Sequence, residues 1–427
     1  MRAVNEINFR IFEFGNTPTG IFDFSYSGEK ADEQSTPESM IYILITGKWG
    51  GNHDAPNLTD TIILAWIHPE HKTITLFSLP RDLYVEYPWS TRKWKINQIY
   101  ETFLPLGADI AIERLKIKVS EITGKQIDFY INVDFKGFIE IVDTLWWVEV
   151  SLEENFVDYQ YPDNNLWYKT FILRKGTWTL DGEVALMYAR SRHSTSDFDR
   201  SLRQQEIISS LREKISTLWY FKDRKKLLNL YNIFTEYIET DMSFSDMLNL
   251  WLTIKSWDSS QTLSFNLNDS CYDGSPTCSS GGFLYVPLRE YFWGASVLLP
   301  NDASSKNLSN YDVIHTYADI IYDNTDVYTN PKNIIIFNAT RTPLLAGNLA
   351  DILRPYGLSI DREIGTKTMS EKKFEKSILY YNGIDENDST LQVIKKIMTI
   401  DMEKTEVPLY SPTWTHIEIV LADEDSF

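Results

Sequence analysis

The stretch IAIERLKIKVSEITGKQIDFYINVDFKGFIEIVDTLWWVEVSL, residues 110–152, decides the fold class. Ile112, Leu115, Val119 and Ile122 recur at intervals of three and four, which puts them on one face of a helix. Gly124 follows where a helix end wants a residue that takes positive φ without strain. IDFYINV (127–133) is β-branched and aromatic and predicts a strand. Phe138, Ile141, Val142 and Leu145 share a second helical face, and VEVSL (148–152) reads as another strand. Helices alternating with strands predict a layered α/β architecture.

The alternation continues on both sides. Upstream, IYILIT (41–46), TIILAWI (61–67) and TITLFSL (73–79) are strand-like, with HPEHK (68–72) as a hairpin turn. Residues 1–39 mix apolar pairs with Gly, Pro and Ser and read as a leader and linker. Downstream, Asp181 is placed to cap a helix through Arg190, and another helix is expected over 201–215. Two more helices are expected over 222–257, the second opening with the capping-box-like SFSD, and strands and loops over 261–300. Residues 301–331 read as a linker with a short helix. Residues 332–427 form a smaller α/β unit with strands at NIIIFNAT (333–340), SILYYN (377–382) and HIEIVLA (416–422). The main domain is therefore expected at 40–300.

Composition narrows the class. At 427 residues, 43% hydrophobic and 24% charged, the chain is globular, with room for two or three domains. Lys and Arg number 41 against 60 Asp and Glu, and a net charge of −19 repels nucleic acid. No run of about 18 apolar residues predicts a membrane-spanning helix, and no signal peptide is visible. Cys271 and Cys278 flank the polar YDGSPT, so they either bridge a hairpin in an oxidising compartment or are unrelated thiols.

Arginines collect beside strand ends. SLPRD places Arg81 and Asp82 directly after a strand, ahead of KINQIY (95–100). YARSRHSTSDFDRSLRQQ (188–205) carries Arg190, Arg192, Arg200 and Arg203 beside Asp197 and Asp199. Such a cluster in an acidic chain is either a bidentate phosphate-binding pocket or a surface salt-bridge network. Asp60 in LTDT is either a hard oxygen ligand for Mg²⁺ or a strand-entry turn residue.

TDTIIL, SLPRDLYV, KINQIY, GKQIDFYINVDFKGFIEIVDTL and LDGEVALMYARSR…SDFDRSLRQQ, in this order and spacing, resemble the LytR–CpsA–Psr family over about residues 41–300. The last hundred or so residues, with IIIFNATRTPLLAGNLADILRPYGL, resemble a C-terminal domain often fused to it. The resemblance implies a mixed central β-sheet flanked by helices, anchored to the cell membrane and facing outward. It implies a phosphotransferase that moves a glycopolymer from a polyprenyl-pyrophosphate lipid to peptidoglycan with Mg²⁺. Arg81, Arg190, Arg192, Arg200 and Gln204 would hold the pyrophosphate and Asp60 the metal, with Lys95, Asn97, Asp82 and Arg203 as further candidates. Asp82 or Asp199 would be the general base. A hydrolase on the same lipids and a non-catalytic wall-associated protein are the alternatives.

Four departures from the family pattern stand out. Leu58 replaces an Arg two residues before Asp60, and Lys48 replaces an aspartate after the first strand. Either Asp54 restores the lost carboxylate or Lys48 acts as a charge substitute near the pyrophosphate. The usual N-terminal transmembrane helix is missing, which suggests a truncated or misplaced start. Finally, Trp146-Trp147 stand where the family has Gly-Gly. Trp49, Trp89, Trp178 and Trp293 also lie in turn contexts that favour glycine. With 13 Trp and 19 Gly, against roughly 30 Gly expected, these residues are either glycines encoded by UGA or a sugar-stacking surface.

Overall fold

A computed structural model describes residues 40–51, 55–162, 168–191, 197–220, 232–257, 262–267, 283–301, 303, 307–361, 364–369 and 374–423. Strands β1 (Ile41–Lys48), β2 (Thr59–His68) and β3 (Thr73–Ser78) form an antiparallel meander. β4 (Phe129–Asp134) joins β1 in parallel, β5 (Ile238–Thr240) pairs antiparallel with β4, and β6 (Thr262–Asn266) runs parallel to β3. The sheet order is β5-β4-β1-β2-β3-β6, a mixed sheet.

Period-two alternation gives each strand two buried faces. Leu44, Ile62, Leu64 and Phe77 point to one side, against Leu115, Val119 and Ile122 of the helix Ala108–Thr123. Ile43, Ile63, Ala65, Ile67 and Leu76 point to the other, where Ile208, Met247 and Leu250 pack. Each fully buried aliphatic side chain contributes roughly 1.5–3 kcal/mol, so the sheet is a rigid base for whatever its strand ends carry. Gly124 closes the helix at φ 68, and Asp134 caps the next helix, Phe135–Thr144, by accepting from the Gly137 N–H. Ile112, Leu115, Val119 and Ile122 are all core residues.

Ile238–Thr240, expected within a helix, is instead the edge strand β5, because its Glu239 and Thr240 pair with Asn132 and Ile131, and two further segments pack differently from expectation. Val148–Leu152 does not enter the central sheet; it pairs with Gly176–Leu180 in a separate two-stranded ribbon over Val142, Leu180 and Tyr188. Trp178 is therefore a strand residue rather than a turn residue. The segment 301–331, expected as a linker with a short helix, does hold a helix, Asp312–Asp323, but it is packed rather than free: Ile314, Tyr317 and Ile321 complete the main core while Ile320 faces the C-terminal one. Its amphipathic pattern is too short and too close to Asn/Ser-rich flanks to announce two partners.

The C-terminal unit contains a five-stranded mixed sheet. Ile334–Asn338, Ile378–Tyr381 and Ile417–Leu421 are its apolar strands, and Leu345–Leu353 and Ser389–Ile397 are its principal helices. Thr366–Thr368 and Asp401–Lys404 are short polar edge strands that lack a hydrophobic signature. Among the described residues, no helix is long and apolar enough to cross a membrane. Cys271 and Cys278 lie outside the described residues.

Candidate active site

A β-bulge aims the central acid. Gly47 pairs with Thr61 and Lys48 with Thr59, so Asp60 is the extra residue on its strand and has no opposite partner. Its Oδ1 accepts from Arg81 Nη1 at 2.7 Å and from Asn97 Nδ2 at 3.4 Å, and its Oδ2 accepts from Trp49 Nε1 at 3.1 Å. Arg81 reaches it because the chain turns directly after β3, Leu83 N–H donating to Pro80 O at 3.1 Å.

Burial opposes ionisation of Asp60, but the Arg81 charge and hydrogen bond, the Trp49 bond and the Arg200 charge together hold its carboxyl below the ordinary 3.8. A lowered folded value stabilises the protein above the unfolded value, and that contribution is lost as pH falls through the folded one. The stability gap between wild type and Asp60→Asn is therefore expected at pH 7 and should close below about pH 4. Urea midpoints measured across that range check it, and a gap that widens in acid contradicts the ion pair.

The helix Gly182–Arg190, capped by Asp181 as expected, delivers Arg190 from its last residue. The Arg190 guanidinium lies 3.7 Å from the Trp49 ring centroid and 4.9 Å from that of Phe135. Burial works against its charge, while Tyr161 and Asp60 favour it; an arginine stays protonated regardless. Arg200, on the helix Asp197–Tyr220, is buried and acts on Asp60 electrostatically. Asp82 joins through Arg81 Nε at 3.6 Å and is held by Lys95 Nζ at 2.5 Å. Asp60, Arg81, Asn97, Arg190, Arg200, Asp82 and Lys95 thus form one linked group.

Other candidates point elsewhere. Arg203 Nε donates to Tyr188 O at 3.0 Å and its Nη2 donates to Ser191 O. Gln204 Nε2 donates to Ala189 O at 3.3 Å. Both support the carbonyl end of the helix that positions Arg190. Arg203→Met should cost about 2–3 kcal/mol in urea unfolding, because those buried carbonyls lose a charged donor. An unchanged midpoint would refute that role. Asp199 is exposed. Arg192 and Asp54 lie outside the described residues.

Lys48 faces a network that its sequence context does not reveal. Its Nζ contacts Glu239 Oε1 at 2.5 Å and Tyr100 OH at 3.5 Å. Glu239 Oε2 accepts from Tyr100 OH at 2.8 Å and Asn132 Nδ2 at 2.7 Å, and Asn132 Oδ1 accepts from Thr46 at 2.8 Å. Burial raises the Glu239 carboxyl, yet the Lys48 and Tyr100 bonds leave it below the ordinary range. Asn132, polar inside the apolar run FYINVD, was the one visible sign of this network; Glu239 lies more than a hundred residues away.

Among the described residues, this donor set does not make a two-carboxylate magnesium cage, Asp54 lying outside them. Asp60 commits both oxygens to protein donors, and an ammonium occupies the position where a second carboxylate is expected. Among the described residues, the grouping with metal-ligand geometry is His68, Glu70 and His71, at the opposite end of β2 in the hairpin.

A family model described as the LytR_cpsA_psr family matches residues 21–279. The chain belongs to the LytR–CpsA–Psr family. Among similar proteins of this family type, polyisoprenyl-teichoic acid–peptidoglycan teichoic acid transferase TagU of Enterococcus faecalis is 29% identical over 200 residues, 46% of this chain and 59% of that protein. The TagV transferase of Bacillus subtilis is 29% identical over 226 residues, 52% of this chain and 54% of that one. The chain thus spans little more than half the length of these curated relatives. Among solved structures, B. subtilis TagV matches at TM-score 0.48 and 22% identity, covering 66% of this chain and 99% of that chain. The structure described as TagT bound to LIIa-WTA matches at TM-score 0.46 and 22% identity, covering 68% and 94%.

Proposed function

We propose that the chain is a cell-envelope phosphotransferase that moves a glycopolymer from a polyprenyl-pyrophosphate carrier to peptidoglycan, on the outer side of the membrane. The observation that carries this reading is the cationic group around the bulged Asp60: Arg81 bonds it, Arg190 stacks on the Trp49 that bonds the same carboxylate, and the buried Arg200 lowers its pKa, all within an acidic chain. Family membership and the names of the relatives supply the substrate class.

In the proposed reaction an acceptor-sugar hydroxyl oxygen attacks the glycopolymer-side phosphorus. Its bond to the bridging oxygen breaks, polyprenyl phosphate leaves, and a phosphodiester remains on peptidoglycan. Arg81, Arg190 and Arg200 neutralise the charge that builds on the phosphoryl oxygens. The acceptor proton passes to Asp82, which Arg81 bridges to Asp60, in preference to the exposed Asp199. Lys48 adds a fixed positive charge where the family pattern has a metal-binding carboxylate, and Mg²⁺ bound at Asp60 would supply further charge neutralisation.

The test is product analysis with a polyprenyl-pyrophosphate-linked saccharide, with and without peptidoglycan. Saccharide on peptidoglycan supports transfer, and saccharide phosphate formed equally in its absence supports hydrolysis instead. In EDTA the rate is expected to fall less than about tenfold; a loss beyond a hundredfold makes magnesium essential, with Asp54 as the next ligand to examine.

A further inference from the structure

Six non-glycine residues among those described have φ in the left-handed region: Lys72, Trp89, Trp146, Trp147, Trp293 and Leu344. Four are tryptophan. With 13 tryptophans in 427 residues, six positions drawn at random would hold well under one. A left-handed backbone presses Cβ against the following carbonyl, a conflict that glycine alone escapes.

The local hydrogen bonds identify what each turn requires. The helix Phe135–Thr144 ends with Trp146 N–H donating to Asp143 O at 3.1 Å and Trp147 N–H donating to Val142 O at 2.9 Å. That pair of bonds is a Schellman motif, and Trp146, at φ 60, occupies its glycine position. Trp293 ends the short helix Arg289–Phe292 at φ 53, with Gly294 N–H donating to Arg289 O at 2.9 Å in the same pattern. Trp89 follows Pro88 in a turn closed by Ser90 N–H to Tyr87 O at 3.2 Å. Proline then a left-handed residue is the type II turn, whose third position takes glycine.

The side chains stay at the surface, with Trp89 against Arg114 and Trp293 against Trp94. Trp89 is 76% exposed, Trp146 66%, Trp147 49% and Trp293 79%, whereas Trp66, on β2, is 2% exposed and packs against Phe77. Trp49 and Trp178, expected in the same class, do not have positive φ. Trp49 bonds Asp60 and supports Arg190, and Trp178 lies in a strand, so the geometry separates them from the four.

We propose that residues 89, 146, 147 and 293 are glycine in the native protein, their codons being UGA read as glycine in the source organism. The four exposed indoles are then absent from the mature surface and form no sugar-binding platform. This inference rests on backbone geometry and composition and is independent of the proposed reaction.

The test reads the gene and weighs the protein. UGA at all four codons, with native peptides lighter by one indolylmethyl group per position, is the expected result. UGG codons overturn the proposal, as does UGA accompanied by tryptophan in the native peptides. Independently, recombinant chain carrying W89G, W146G, W147G and W293G should melt higher than chain with tryptophan at these positions, and W66G should melt lower. A quadruple variant that melts lower overturns the backbone argument.

Discussion

Arg81→Ala is expected to lower transfer from a polyprenyl-pyrophosphate-linked saccharide by roughly 10²–10³-fold, the usual effect of removing a positioned charge-stabilising donor. Arg81 is the hinge of the candidate site. One nitrogen holds Asp60 at 2.7 Å while another faces Asp82 at 3.6 Å, and the side chain is largely buried. Its loss removes positive charge beside the phosphoryl group and takes from Asp60 its shortest hydrogen bond, while the Asn97 and Trp49 donors stay. Arg81→Lys should recover little, because one ammonium cannot reproduce the planar fork. Melting curves separate a folding defect from a catalytic one. A variant that folds and retains activity within about threefold would remove Arg81 from the mechanism and return the cluster to a salt-bridge network.

The quadruple Trp→Gly change is the second large effect, and it acts on stability. Releasing a non-glycine residue from the left-handed region is worth about 1 kcal/mol per position. Residues 146 and 147 share one turn, so the four together amount to roughly 3–4 kcal/mol. Two losses oppose this. Arg114 lies 3.6 Å from the Trp89 ring centroid, an exposed cation–π contact worth about 0.5–1 kcal/mol. Glycine also makes the unfolded chain more flexible, by up to about 1 kcal/mol per position. With that flexibility cost at its lower end, about 0.4 kcal/mol per position, the net is a gain of about 0.5–2 kcal/mol, or about one to two degrees in Tm for a chain of this size. Differential scanning calorimetry of the two recombinant chains measures it.

Much of the fold was legible because its signals are local. The helix Ala108–Thr123 appears with Gly124 at its end, since three-and-four spacing and a glycine stop depend only on neighbours along the chain. The same holds for Asp181, whose side chain accepts from Val184 N–H, and for the capping box at Ser243 and Asp246. The tryptophans in glycine turns were visible for the same reason, although the four with positive φ could be separated from Trp49 and Trp178 only once backbone angles were known.

The amino-acid sequence by itself determined the α/β class, the family pattern and the set of arginines from which a phosphate site would be built. Only the tertiary structure decided which of them meet. Arg200 and Arg203 lie three residues apart on one helix and both are buried, yet one acts on Asp60 while the other bonds the carbonyls of Tyr188 and Ser191. Likewise a bulge aims Asp60, and Glu239 arrives on an edge strand to hold Lys48. These outcomes depend on strand register and on partners distant in sequence, where burial makes every polar group find a specific donor or acceptor.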